Sequence, residues 1–158
     1  MQFAALMDAM GTQIGDEFDL SKIRYQRIIL LFDPDADGIH GRTLLLLFFH
    51  KWMKPLLDSG RIFDVQVPCW KLDSEKLDSP KFASTDEQFQ ELKTRLESEG
   101  IDDLKTTRFR GIGRVGEDTL SNFCTNPETR HLSLLRSEDA EDAIRFFEQL
   151  RSFMHPDG

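Results

Sequence analysis

"RIILLFDPDADGIHGRTLLLLFF", residues 27–49, decides the predicted fold, because it sets three aspartates between two apolar runs. The aspartates occupy alternate positions, Asp33, Asp35 and Asp37. Like charges this close repel one another, and a bound cation would offset that repulsion. The simplest alternative is a solvated acidic turn that begins a helix, because carboxylates are favourable at a helix N-terminus.

The segments around the aspartates predict one βαβ unit. Residues 27–32 form a short, continuous run rich in Ile and Leu, which is typical of a strand buried on both faces of a parallel sheet. Residues 42–57 have a helical pattern that is apolar almost all round, with a kink expected at Pro55. Residues 61–67 alternate apolar and polar side chains, as a second strand does. The order strand, loop, helix and strand indicates an α/β fold.

The rest of the chain predicts shorter elements and contains no internal repeat. Residues 73–84 are polar and have no period, so we expect a loose connection there. Thr85 and Gln88 form a capping-box pattern for a helix over residues 86–99. The other predicted elements are a helix at 2–10, a short helix near 117–124, a strand at 130–136 and an amphipathic helix capped by Ser137.

Composition limits the class of protein. The chain has 158 residues, 39% of them hydrophobic and 30% charged, which fits one ordinary globular domain or one domain with a small appendage. The net charge of −8 argues against a general nucleic-acid coat but allows one local basic patch. Cys69 and Cys124 are too few for a disulfide framework, and we expect packed thiols and a cytoplasmic location.

The aspartate pattern first suggests a calcium loop of the EF-hand type, but two features exclude it. With Asp33 as the first position, the twelfth is Leu44, where such a loop needs a Glu that gives two oxygens to calcium. The loop also follows a predicted strand, whereas an EF-hand loop follows a helix.

A magnesium site at the carboxyl end of a strand is the second possibility. If the chain stays extended, the side chains of Asp33 and Asp35 project on the same side. Two carboxylates suit Mg²⁺, which keeps water or takes phosphate oxygens at its other positions. Gly38 would let the chain turn sharply away, and His40 and Arg42 could then reach a phosphate held by the metal.

Two separated stretches resemble one known family. "RYQRIILLFDPDADGIHGRTLLLLFFHKWMKPLLDSGRIF" is similar to the metal-binding half of the Toprim domain in the B subunit of DNA gyrase and topoisomerase IV. "RFRGIGRVGEDTLSNFCTNPETRHL" resembles that family's later Arg-Tyr-Lys-Gly-Leu-Gly stretch and its Asp-Pro-Glu-Thr-Arg sequel. The similarity covers roughly residues 9–72 and 106–136, in the family's order.

The resemblance implies an architecture. It is an α/β fold with a Rossmann-like (Toprim) partial parallel sheet, flanking helices and a small C-terminal α-rich extension. On this basis residues 1–105 are predicted to form a partial Toprim domain, and residues 106–158 an extension packed on it.

The resemblance also implies Mg²⁺-dependent cleavage and religation of duplex DNA by a type II topoisomerase. The partner A-type subunit would carry the attacking tyrosine, and the metal would stabilise phosphate charge. The implied metal ligands are Asp33, Asp35 and Asp37. The predicted DNA contacts are His40, Arg42, Arg108 and Arg110.

Departures from the family bear on activity. The family's Glu-Gly-Asp-Ser-Ala motif, whose Glu is a metal ligand and acid/base, does not occur in this sequence, and neither does an ATP-binding domain. We therefore expect no catalysis by this chain without the missing N-terminal part of the family's B-type chain. The alternative is a free-standing, non-catalytic Toprim-like module that regulates a topoisomerase. A nuclease or primase of Toprim type would leave "RFRGIG" and "NPETR" unexplained.

Overall fold

A computed structural model of the chain describes residues 3–154, except for the side chains of Phe3, Leu150, Ser152 and Met154. The fold is mixed α/β, as predicted. The helices are α1 (Phe3–Met10), α2 (Ala36–Trp52), α3 (Lys54–Asp58), α4 (Asp86–Ser98), α5 (Glu117–Leu120) and α6 (Ser137–Met154). The strands are β1 (Ile28–Leu30), β2 (Ile62–Val65), β3 (Trp70–Asp73), β4 (Lys81–Ala83), β5 (Lys105–Arg108) and β6 (Leu132–Leu134).

The predicted βαβ unit is confirmed. β1 and β2 are parallel, with Ile28 opposite Ile62 and Leu30 opposite Asp64. They belong to a three-stranded sheet in the order β1-β2-β6. The expectation that the first strand is buried on both faces was wrong: only Leu30 of β1 is buried, and Leu31 beyond it is 42% exposed. The reason is that β1 lies at the edge of its sheet.

The helix after the aspartates begins earlier than predicted and is divided in two. α2 starts at Ala36 rather than at residue 42, and Met53 leaves helical geometry with φ −145° and ψ 37°. Pro55 then lies in the first turn of α3, where its missing N–H costs nothing. The predicted kink is thus a break, because a proline inside one continuous helix would remove a hydrogen bond and clash with the preceding turn.

The described residues form two compact units. The first contains residues 3–30, 40–64 and 133–154, and the second contains residues 31–39 and 65–132. Within the first unit, α6 packs against α3. Its side chains with 0% exposed surface belong to α2, α3, β2, α6 and the break between α2 and α3: Phe49, Met53, Leu56, Leu57, Ile62 and Ala140.

The second unit is built on an antiparallel sheet that the sequence did not predict. Its strands are ordered β4-β3-β5, and α4 packs on β4 and β3. The polar segment 73–84 is therefore not a loose connection, because it contains the end of β3 and all of β4. A three-residue strand is too short to show a period in sequence. The core cluster of this unit is Leu72, Ala83, Phe89, Leu96 and Ile101.

The predicted Thr85 cap of α4 is confirmed, but the Gln88 side chain accepts from Ser84, one residue before the cap, and not from Thr85 as in a capping box. The backbone N–H of Gln88 donates to Thr85 Oγ1 at 3.1 Å, and the backbone N–H of Ser84 donates to Gln88 Oε1 at 3.0 Å. Thr85→Ala removes an acceptor from the first turn, so we expect it to lower the free energy of unfolding by about 1 kcal/mol in urea titrations. Thr94→Ala, an exposed position in the middle of α4, is the control and should cause no loss. Equal stability of the two variants would contradict the capping role.

The last strand and helix are confirmed, with one correction. α6 begins at Ser137, but the Ser137 hydroxyl donates to Asp58 Oδ1 at 2.5 Å instead of capping the helix. The Asp139 carboxylate accepts from the backbone N–H of Arg136 at 2.7 Å, which satisfies the helix start.

Candidate functional site

Two of the three aspartates, Asp35 and Asp37, belong to the start of α2. Asp35 is the N-terminal cap of α2: its Oδ1 accepts from the backbone N–H of Gly38 at 2.9 Å. Its backbone carbonyl accepts from the N–H of Ile39 at 3.0 Å. Asp37 lies in the first turn of the helix. The chain bends at Pro34 and Asp35, so the extended course through Asp33 and Asp35, on which a common side for their carboxylates depended, is not observed.

Gly38 is required for close approach and not for a turn. It lies in the first turns of α2, is buried, and is not among the glycines with positive φ. A β-carbon at this position would lie 1.9 Å from the backbone oxygen of Asp33. The start of α2 thus rests directly on the backbone of the aspartate loop, and only glycine leaves room for this contact.

The side chain of Asp33 meets the glycine-rich stretch at residues 111–113. Asp33 Oδ1 accepts a hydrogen bond of 2.6 Å from the backbone N–H of Ile112. A β-carbon on Gly111 would lie 3.4 Å from the same oxygen. All of these residues belong to the second unit. The sequence analysis did not assign Gly111 or Ile112 to the site, because every residue except proline carries a backbone N–H and residue type does not show which one donates.

In the chemistry of their oxygens, the carboxylates of Asp33 and Asp35 match part of a magnesium coordination sphere. Among residues 3–154, no group of three or more His, Cys, Asp or Glu side chains is arranged to hold a metal ion. Asp33 and Asp35 each use Oδ1 as an acceptor, and within the same residues no hydrogen bond engages either Oδ2. One oxygen from each of two carboxylates matches Mg²⁺, which usually takes one or two protein carboxylates and keeps several waters.

Arg108 and Arg110 of the second unit differ in their surroundings. Arg108 lies over the Trp70 ring, 5.2 Å from its centroid, and its Nη2 is 3.4 Å from Asp86 Oδ2. Trp70 Nε1 donates to the other oxygen of Asp86 at 2.7 Å. Arg110 is exposed, and no residue of the described chain accepts a hydrogen bond from it. Arg110 can thus contact a phosphate without breaking an existing interaction.

His40 and Arg42 belong to the first unit. The Arg42 guanidinium forms an ion pair with Asp64 on β2, so a phosphate would have to compete with this carboxylate. His40 is exposed.

The two cysteines are packed thiols, as expected. Both are free and buried, and burial raises the pKa of the Cys69 and Cys124 thiols above the ordinary value. A raised pKa lowers the thiolate fraction at neutral pH, which makes both cysteines poor nucleophiles.

Comparisons with known proteins extend over nearly all of the chain. It is 38% identical to the DNA gyrase B subunit of Thermotoga maritima over 149 residues, which are 94% of this chain and 23% of that protein. It is 39% identical to the DNA gyrase B subunit of Staphylococcus epidermidis and 37% identical to that of Staphylococcus aureus, each over 145 residues. The chain spans less than a quarter of the length of these curated relatives. No protein-family model matches it.

In the part of the chain that the structure describes, no helix has the length and apolar character needed to cross a membrane.

Proposed function

Because this chain belongs to the family of DNA gyrase B subunits over the segment that it spans, we propose that it is part of a type II DNA topoisomerase of the same kind. In this role it contributes Mg²⁺ coordination and DNA-gate contacts to the cleavage and religation of duplex DNA. Its partners are DNA, an A-type subunit that carries the nucleophilic tyrosine, and the remainder of the B-type chain. We also propose that the chain has a Rossmann-like Toprim architecture and lies in the cytoplasm.

The hydrogen bond between Asp33 and Ile112 carries the proposal. The two stretches that resemble the family are far apart in sequence, yet the backbone of one donates to the carboxylate of the other at 2.6 Å. An acidic turn that serves only to begin α2 needs Asp35 and has no use for this contact. The arrangement instead favours one site that combines a carboxylate pair with a basic, glycine-rich stretch.

The metal would be held by the carboxylates of Asp33 and Asp35, with Asp37 nearby in sequence. When bound, Mg²⁺ supplies positive charge that stabilises the phosphate oxygens during transfer. The contribution of this chain is to hold both carboxylates on fixed backbone. Asp35 is fixed by the cap of α2, and Asp33 by the contacts with Gly38 and Ile112.

The DNA contacts are assigned in order of availability. Arg110 comes first because it is exposed and unpaired within residues 3–154. Arg108 would reach DNA together with the Trp70 ring on which it lies, and Arg42 only by exchanging Asp64 for phosphate. His40 is the fourth candidate. Such contacts draw their affinity from phosphate charge, which makes DNA binding sensitive to salt.

The decisive experiment removes the negative charge without removing the hydrogen bonds. Asp33→Asn with Asp35→Asn keeps an oxygen acceptor for the N–H groups of Ile112 and Gly38, and Asn caps helices as well as Asp does. We expect this double variant to fold normally and to lose Mn²⁺ binding, where Mn²⁺ is the paramagnetic substitute for Mg²⁺. The readout is selective broadening of amide NMR signals near the aspartate loop.

The matched control is Glu87→Gln with Glu91→Gln, which removes the same charge from exposed positions on α4. It should bind Mn²⁺ as the unmodified chain does. If the double asparagine variant broadened the same signals at the same Mn²⁺ concentration, the metal site would lie elsewhere and the proposed role of these aspartates would fail.

A further inference from the structure

We infer that the backbone N–H of Ile112 is a positioning group for the metal ligand Asp33, an inference that rests on the proposed function. It fixes Oδ1 of Asp33 and leaves Oδ2 for the cation. This hydrogen bond connects the basic stretch to the carboxylate site. Arg110 and Arg114 lie on either side of Ile112, whose N–H donates to Asp33.

The backbone N–H of Ile112 is free to donate to Asp33 because Ile112 is the first residue of its 3₁₀ turn. Residues Ile112–Arg114 form a single 3₁₀ turn, closed by hydrogen bonds from Arg114 N–H to Gly111 O at 3.0 Å and from Val115 N–H to Ile112 O at 3.1 Å. The first N–H groups of any helical turn have no acceptor within it. The N–H of Ile112 is such a group, and Asp33 Oδ1 is its acceptor.

Asp33 is thus held from two directions. Its backbone contacts the backbone of Gly38, and its side chain accepts a short hydrogen bond from Ile112. A bond of 2.6 Å to a carboxylate is of the stronger, charge-assisted kind. Gly111 lies beside the carboxylate, because a β-carbon there would be in van der Waals contact with Oδ1 at 3.4 Å. We therefore expect a branched side chain at this position to crowd Asp33.

The consequence is a lower entropic cost of metal binding. A ligand side chain that is already immobile avoids the ordering cost of about 0.5–1.5 kcal/mol that a free one incurs, which corresponds to about two- to twelvefold in affinity. Loss of the Ile112 N–H should therefore weaken Mn²⁺ binding by about two- to twelvefold, while loss of both aspartate charges abolishes it.

Ile112→Pro deletes this donor with little other change. Proline is favoured at the first position of a helical turn. It also requires an extended preceding residue, and Gly111 is extended, with φ −168° and ψ 152°. Ile112→Ala is the matched control, since it truncates the same side chain and keeps the N–H. We expect Ile112→Pro to bind Mn²⁺ about two- to twelvefold more weakly than Ile112→Ala, as measured by NMR line broadening in a Mn²⁺ titration.

A second pair of variants keeps the test valid if the proline variant does not fold. Gly111→Val places a branched side chain next to Asp33 Oδ1, which we expect to crowd the carboxylate. Gly113→Val enters open space, with no atom within 4 Å of its β-carbon. Weaker Mn²⁺ binding is expected for Gly111→Val alone. The metal-free protein provides an independent readout. Asp33→Asn should move the amide proton signal of Ile112 upfield, and that of Gly113 much less, because the hydrogen bond is kept but is no longer charge-assisted and is therefore weaker.

The outcomes separate this inference from the proposed function. Equal Mn²⁺ affinity of Ile112→Pro and Ile112→Ala, or an Ile112 amide signal that ignores Asp33→Asn, overturns the positioning role while leaving the aspartates as ligands. Mn²⁺ binding that survives the loss of both aspartate charges, or an unmodified chain that binds no Mn²⁺, overturns the metal site itself and this inference with it.

Discussion

Gly38→Ala is expected to destabilise the protein by at least about 3 kcal/mol, at the upper end of the range for an overpacked site. The added β-carbon would lie 1.9 Å from the backbone oxygen of Asp33 and 2.8 and 2.9 Å from its carbonyl carbon and nitrogen. These are backbone atoms, so rotation of a side chain cannot relieve the clash. Either α2 must begin later or the aspartate loop must move.

Helix propensity predicts the opposite sign for this substitution. Alanine in a helix is favoured over glycine by about 1 kcal/mol, so an exposed helix would gain stability. The steric term dominates here because the β-carbon falls well inside the contact distance of backbone atoms. The comparison decides whether α2 lies on Asp33 in solution.

Urea unfolding followed by circular dichroism measures the effect. Gly113→Ala is the matched control: Gly113 belongs to the same unit, has no positive φ, and has no neighbouring atom within 4 Å of an added β-carbon. It should unfold at nearly the same urea concentration as the unmodified chain. A Gly38→Ala protein as stable as the Gly113→Ala protein would show that the contact with Asp33 does not exist.

The elements that the sequence predicted correctly are those with strong local signals. β1 and β2 are apolar or alternating runs bounded by polar residues. α4 begins at the Thr85 cap and ends before Gly100, whose φ of +84° only glycine adopts easily. Such signals act over a few residues and survive in any tertiary context.

The parts that the sequence could not predict depend on contacts between distant segments. The β4-β3-β5 sheet joins Lys81–Ala83 and Lys105–Arg108 to β3, and none of the residues of β5 is buried enough to reveal a pattern. The candidate site has the same character. Its aspartates and arginines were recognised by residue type, whereas Gly111 and Ile112 contribute only backbone geometry to Asp33.

The aspartates also show why a carboxylate cluster in sequence is ambiguous. The simplest expectation, an acidic turn that begins a helix, is realised at Asp35, which caps α2. The metal hypothesis requires the aspartates of the same loop to coordinate a cation as well. Both can hold at once, because a carboxylate has two oxygens and the cap uses one of them.

Phe49→Ala is expected to cost about 3–5 kcal/mol of unfolding free energy, the usual range for removing a buried phenylalanine. Phe49 lies in α2 with 0% of its surface exposed, as do Met53, Leu56, Leu57 and Ile62 of the same unit. Truncation leaves a cavity that the surrounding side chains fill only in part. Urea unfolding should show the loss as a lower midpoint with an unchanged slope.

Phe146→Ala is a control that isolates burial from aromatic pairing. Phe49 meets Phe48 edge-on at 5.9 Å and 63°, and Phe146 meets Phe147 at 6.1 Å and 63°, so the two variants lose nearly the same ring contact. The difference is exposure, since Phe146 on α6 is 57% exposed. Phe146→Ala should therefore cost no more than about 1 kcal/mol. If both substitutions cost the same, Phe49 would not be in the core of the first unit, and the side of α2 that contains Leu45, Leu46 and Phe49 would not be buried.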